Sequence, residues 1–238
     1  MSFYEMRILA YVDIIGWSEA CMNESERLAA AANVIHDAAK TYSSHHKEAL
    51  KNDRNLTVNP LFLHNEFAAF SDNFVLSLPA DFGGRIFSIA DICRRLLKLG
   101  FLTRGALTIG PVHHHDNVIF GPALTEAVQM EKEAIFPRLV CSNALLTHVG
   151  EHPHGTCPIV IDQLGRQVVN LFDPSSTAEE ATIMRFMAEA WGLGEIKDHI
   201  AAQVHRYTAM GDTKRLEKWR YMQDVMGLML KALPWQTA

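Results

Sequence analysis

The chain has 238 residues, is 48% apolar and carries a net charge of −5, enough apolar material for one substantial core with a smaller appendage, so that it need not split into two full domains. The acidic balance argues against a general nucleic-acid binder, which needs a basic face or stripe, so an anionic substrate would have to be met locally, by metal. Four scattered cysteines, Cys21, Cys93, Cys141 and Cys157, show no C-x-x-C spacing, and no basic leader or run of ~20 apolar residues is present; a cytoplasmic protein with no disulfide framework, zinc site or membrane insertion is expected.

Residues 6 to 13 read as a buried strand. From Ser18 to about Leu50 the spacing of Leu28, Ala32, Ile35 and Ala39 predicts one long or broken helix, followed by a polar loop over 52–60. Phe67–Phe70 and Phe74–Leu78 form short strands around Ser71-Asp72-Asn73, a turn composition suited to a hairpin. Gly83 and Gly84 open a helix whose Ile86, Ile89, Ala90, Cys93, Leu96 and Leu97 share one face, and Gly100 stops it. Leu102–Ile109 is a strand, Gly121-Pro122 begins a helix to about Ile135, and Leu139–Cys141 is a strand. A second hairpin joins 159–162 to 167–170 across Leu164-Gly165. Helices follow near 178–191, capped by Thr177 and Glu180, and near 213–232, with Met184, Met187, Met222, Met226 and Met229 as adaptable apolar faces. This order packs as an α+β ferredoxin-like sandwich, a mixed or antiparallel sheet with helices on one face. It is expected to span 1–174, with 175–238 as a helical extension.

Two carboxylates stand where strands should end: Asp13 in Tyr11-Val-Asp-Ile-Ile-Gly-Trp-Ser18 and Asp72 at the hairpin tip. On adjacent strands they could share divalent metal, with a phosphate against backbone N–H groups from Ile14 to Trp17. Singly, each also reads as a solvated turn or cap residue, with Ser18 as an N-cap. His113-His114-His115-Asp116 is expected to be a solvent-facing loop in preference to a metal centre, although on a strand His113 and His115 would share a face. His152-Pro-His154 reads as an exposed turn, and Trp219, Tyr221 and Trp235 as packing or contact residues.

The phrase from Tyr11 to Ser18, Asp72 as a second aspartate, Arg104-Gly-Ala-Leu-Thr-Ile-Gly110 and Gly121-Pro-Ala-Leu-Thr-Glu-Ala-Val-Gln-Met-Glu131 together resemble the class III nucleotidyl cyclases over roughly residues 5 to 170. The resemblance implies two Mg²⁺ or Mn²⁺ ions on Asp13, Asp72 and the Ile14 carbonyl, and a triphosphate against Ile14, Ile15, Gly16 and Trp17. It also implies a homodimer whose two active sites lie at the interface. Departures are informative. The purine-reading positions fall on Ala68 and Val118, and the ribose- and phosphate-steadying pair falls on Thr125 and Gln129. Gln129 carries no charge, so another cation must help, with Arg104, Arg138 and Arg166 as candidates. Ser71-Asp72, Arg104-Gly-Ala and Phe120-Gly-Pro-Ala are most similar to the Pycsar antiphage pyrimidine cyclases. That likeness implies UTP in preference to CTP as substrate, cyclic UMP or cyclic CMP as product, and a separate effector activated by that product. A purine cyclase, or a domain that has lost turnover and survives as a nucleotide-binding module, are the alternatives.

Overall fold

The computed structural model describes residues 3–52, 64–80, 87–151, 159–172 and 192–231. The expected loop beyond Asn52, the Gly83-Gly84 helix start, His152-Pro-His154, Cys157, the Thr177/Glu180 cap with the helix at 178–191 and its Met184 and Met187, and Trp235 lie outside the described residues.

Strand β1 (Glu5–Ile15) lies between two antiparallel neighbours, β3 (Asn73–Pro79) and β4 (Leu102–His115). The hairpin partner of β3 is β2 (Glu66–Phe70), which gives the order β2-β3-β1-β4. Helices precede β2 and β4, so this unit is a split βαβ repeat of ferredoxin-like type, as expected. Beyond β4 the sheet continues through β6 (Leu139–Cys141), which runs parallel to it, then β8 (Gln167–Val169) and β7 (Ile159–Ile161), both joined antiparallel. Strand β5 (Val118–Phe120) folds back on the end of β4. The sheet is therefore mixed.

Alternation along β1 sets the two layers. Ile8, Ala10, Val12 and Ile14 enter the main core. There they meet Ala31, Val34 and Ala38 of α2 (Ser25–Thr41) and Ile89, Cys93, Leu96 and Leu97 of α4 (Phe87–Lys98). Short α1 (Trp17–Asn23) and α3 (Ser44–Asn52) flank α2, so the long helical stretch is a broken one. Leu9 faces the other way. With Val75, Ala106 and Val112 it packs on Ala123 and Ala127 of α5 (Pro122–Glu133). The two crossover helices share one face as expected, and α5 covers part of the other.

Two helices have no counterpart in the sequence reading, α6 (Asn143–Glu151) and α7 (Leu193–Met210). Ser142 Oγ accepts the Leu145 N–H at 3.1 Å, a side-chain cap for α6. In α7, Ile196 and Ile200 are four residues apart and buried in the main core. The last described helix, α8 (Thr213–Lys231), buries Trp219, Met222, Val225, Met226 and Met229 in the same core.

Two expectations are corrected. His113–His115 is not a solvent-facing loop but the end of β4, because β5 supplies a partner strand, with His113 opposite Phe120 and His115 opposite Val118. His114 is buried, its Nδ1 2.8 Å from Ser77 Oγ. Ser18 lies inside α1. Its N-cap is Gly16, whose φ of 92° is a left-handed conformation that glycine adopts without steric cost.

Candidate active site

Asp13 sits near the end of β1 on the face that looks toward α5, opposite Asn73 on one side and Arg104 on the other. Asp72 occupies the β2–β3 turn, where Ser71 takes a φ of 54°. Such a turn suits short polar residues that hydrogen-bond locally, and Asn73 Nδ2 donates to Asp72 Oδ1 at 2.8 Å. The Ile14 N–H donates to the Asp72 carbonyl at 2.7 Å, so the turn is fastened to the residue after Asp13. The two aspartates anticipated from sequence are thus brought together.

Arg104 Nη2 donates to Asp13 Oδ2 at 2.9 Å. Its Nε is 2.7 Å from Glu131 Oε1, an ion pair in which the N–H is not aimed at the oxygen. Glu131 is buried, one turn beyond Ala127 on the sheet-facing side of α5. Burial raises the pKa of Asp13; Arg104 opposes that rise, and Glu131 and Asp72 add to it. Tyr11, on the same face of β1, is raised by burial first and then by the same three carboxylates. Two acids, Asp13 and Glu131, thus flank one guanidinium, and a third, Asp72, adds its charge at Asp13.

That imbalance, together with an all-oxygen donor set, fits a hard divalent cation such as Mg²⁺ or Mn²⁺. Among the described residues no group of three or more His, Cys, Asp and Glu is disposed to hold a metal ion. The candidate donors are therefore the carboxylates of Asp13 and Asp72 and the carbonyl of Ile14, with Arg104 as a competing cation.

Ile15 and Gly16 line a cavity of about 360 Å³ next to these residues. Trp17 packs its ring on Phe101, centroids 5.8 Å apart. Ala68 is buried on β2 opposite Val75. Val118 is exposed on β5, and Thr125 and Gln129 are exposed on α5, away from the buried Ala123, Ala127 and Glu131. No hydrogen bond joins Thr125, Gln129 or Val118 to either aspartate within the chain; Thr125 Oγ1 donates to the Gly121 carbonyl at 3.3 Å.

Of the three candidate arginines, only Arg104 reaches the carboxylates. Arg138 is committed to Asp162 at 2.5 Å, and Arg166 is exposed on the β7–β8 turn. Sequence reasoning missed Glu131 and Lys218. Glu131 had a signal, since Ala123, Ala127 and Glu131 follow one helical face. Lys218 had none, because α8 brings it in from the far end of the chain. Its amine is half-buried, and its pKa is lowered by burial first and then by Arg104 and Lys214, with Asp13 acting the other way.

No family model matches the chain, and no curated protein does. Among solved structures, the adenylyl cyclase CyaB from P. aeruginosa is 14% identical, with a TM-score of 0.46 over 70% of this chain and 94% of that one. A monomeric guanylyl cyclase domain of the RhoGC fusion protein from the aquatic fungus Blastocladiella emersonii is 11% identical, with a TM-score of 0.43 over 70% and 95%. The guanylyl cyclase Cya2 is 12% identical, with a TM-score of 0.39 over 70% and 90%. Scores below 0.5 at such identities leave function to be argued from this chain's own residues.

Proposed function

We propose that the chain is a metal-dependent pyrimidine nucleotide cyclase, converting UTP, or CTP, to the 3′,5′-cyclic monophosphate and pyrophosphate. The observation that carries this reading is the joining of Asp13 and Asp72 through the Ile14 N–H, 2.7 Å from the Asp72 carbonyl. Asp13, Asp72 and the Ile14 carbonyl would hold two Mg²⁺ or Mn²⁺ ions, which supply acidification of the ribose 3′-hydroxyl and charge neutralisation on the triphosphate. The backbone from Ile14 through Ile15 and Gly16 to Trp17 positions the phosphates, and Arg104 supplies fixed positive charge beside them. Ala68 and Val118 lack the polar groups that would read a purine, which favours the pyrimidines without separating UTP from CTP.

Thr125 and Gln129 enter this reading only through a second copy. Their exposure leaves them available to a partner's carboxylates, and Phe3, Met6, Val118 and Phe120 form an apolar surface nearby, with Phe3 stacked on His113 at 4.7 Å. A two-fold homodimer with sites at the interface is the assembly proposed, with 1–174 as its catalytic part and 175–238 as a helical extension. A role in antiphage signalling through a cyclic-nucleotide effector, within the cytoplasm, rests on the motif resemblance alone. No described helix is long and apolar enough to cross a membrane.

A second reading, a nucleotide-binding module without turnover, is favoured by the neutral Gln129 and by the closure of Arg104 on Asp13. Incubation with Mn²⁺ and each of ATP, GTP, CTP and UTP, with products identified by mass and Asp72→Ala run alongside, decides between them. A cyclic pyrimidine nucleotide that disappears in the variant supports the cyclase. A purine product corrects the base, and the absence of product from all four moves the assignment to the binding module.

A further inference from the structure

The cavity beside Ile15 and Gly16 is walled on its far side by α8, which contributes Lys214, Arg215 and Lys218. Its charges do not cancel. Glu24 is ion-paired with Arg27. Glu19 and Asp212 both bind Arg215, each at 2.7 Å. Each acid of the lining is thus paired with an arginine, neither Lys214 nor Lys218 has an ion-pair partner among the described residues, and four basic groups stand against three acidic ones. Lys218 is half-buried, with burial, then Arg104 and Lys214, disfavouring its charge and Asp13 supporting it. A cation kept under such conditions with no partner of its own is placed to meet anionic charge brought by a ligand. The volume, about 360 Å³, accommodates a small polyanion.

We propose that this cavity is a polyphosphate site, in which Lys214 and Lys218 of the C-terminal helix hold the outer phosphates of a nucleoside triphosphate whose inner end lies at Asp13 and Asp72. The assignment rests on the nucleotide reading above and adds to it the charge that Gln129 does not provide. It gives α8 a second task besides packing. The face that buries Trp219 and Met222 fixes the helix, and Lys214 and Lys218, four residues apart, project together from another face. Lys218 is a binding residue here, acting on the leaving end of the substrate.

The test is calorimetric titration of the whole protein with inorganic tripolyphosphate, nucleotide-free and with divalent metal chelated, so that the aspartates contribute no metal-bridged binding. The native chain binds, Lys218→Met weakens binding about tenfold or more, Lys214→Met weakens it less, and Lys218→Arg retains most of it. Lys40→Met, exposed on α2, is the control for general charge and leaves binding unchanged. Neither methionine variant breaks an ion pair, so thermal melts should match the native protein. No binding by the native chain, or equal binding by Lys218→Met and Lys214→Met, overturns the site. The cyclase reading fails separately: absence of cyclic product leaves the tripolyphosphate result standing, and cyclisation with an unchanged KM in Lys218→Met removes the site but not the reaction.

Discussion

Asp13 and Arg104 face each other directly in the β1–β4 ladder, and the guanidinium closes on the carboxylate at 2.9 Å while its other edge meets Glu131. The arginine therefore stands where a divalent cation would compete for Asp13. In Arg104→Met the cluster keeps its carboxylates and loses its internal counter-charge. Affinity for Mn²⁺ alone, measured by calorimetry without nucleotide, is expected to rise several-fold. Turnover is expected to fall by about 10²-fold, the scale on which a preorganised charge at a reacting phosphate acts. A fall in both would mean that Arg104 mainly holds the strands.

Asp162 is the main polar anchor between the sheet and α8. Its carboxylate accepts from the Leu164 and Arg166 N–H groups, from Arg138 at 2.5 Å and from the Tyr221 hydroxyl at 2.6 Å. Burial works against its charge, but these donors outweigh burial and hold its pKa below the ordinary carboxylate value. Asp162→Ala leaves Arg138 buried without its partner and should cost about 3–5 kcal/mol in urea unfolding at pH 7. Because the folded pKa is depressed, this stabilisation is present above about pH 4 and is lost as pH falls. The gap between variant and native protein should therefore narrow at pH 3.

What was legible in the sequence follows from how local each signal is. The order of β1, the β2–β3 hairpin, α4 and β4 could be read because alternation, turn residues and helical spacing act over a few neighbours. Asp13 and Asp72 were legible because each lies at a strand end with distinctive flanking residues. His113–His115 misled because their polar side chains hide an extension of β4 that depends on β5 and on Ser77, which is 37 residues from His114 in sequence. Lys218 was beyond local reasoning. It reaches Arg104 only because α8 folds back over a core built by residues far earlier in the chain.

His114 makes stability depend on pH. Arg7 Nε donates to Ser77 Oγ at 2.9 Å, which frees the serine proton for His114 Nδ1. Burial, then the neighbouring Arg7 and Lys47, depress the imidazole pKa to about 3; the Asp116 backbone opposes this and His113 adds to it slightly. Glu66, the other charged neighbour, is neutralised by Lys47 at 2.6 Å. The unfolded chain takes up a proton near pH 6.5 and the native one does not, so stability is full above pH 6.5 and falls with acidification. Between pH 6.5 and 5 the loss should be about 2 kcal/mol. His114→Gln keeps an acceptor for Ser77 and should remove that slope in denaturant titrations. Any slope that survives belongs to other groups, His199 among them, whose pKa is lowered by burial and then by Arg27.

Gly105 sets the approach of β4 to β1 immediately beside Arg104. A Cβ there would stand 2.2 Å from the Tyr11 carbonyl oxygen and 3.0 Å from Val12 Cα. Both are backbone atoms of a central strand, so no rotamer change relieves the clash. Gly105→Ala should destabilise the fold by about 3 kcal/mol or more, at the upper end of overpacking costs. It should also abolish nucleotide turnover by separating Asp13 from Arg104. A native-like thermal melt for this variant would show that the β1–β4 spacing yields more readily than the contacts imply.

The C-terminal helices supply core as well as charge. Ile196 and Ile200 of α7, with Trp219, Tyr221, Met222, Val225, Met226 and Met229 of α8, share the cluster that contains Ile8, Val12, Leu96 and Leu139. Each such side chain contributes roughly 1.5–3 kcal/mol by burial, so together they match or exceed the roughly 5–15 kcal/mol that typically separates folded from unfolded protein. A chain ending at residue 174 would also expose the apolar face of the sheet they cover. It should therefore be insoluble or molten, with lost near-ultraviolet dichroism, and not a smaller active enzyme. A folded, soluble 1–174 fragment that cyclises nucleotide would show that α7 and α8 are dispensable, and would remove Lys218 from the substrate's path in the same experiment.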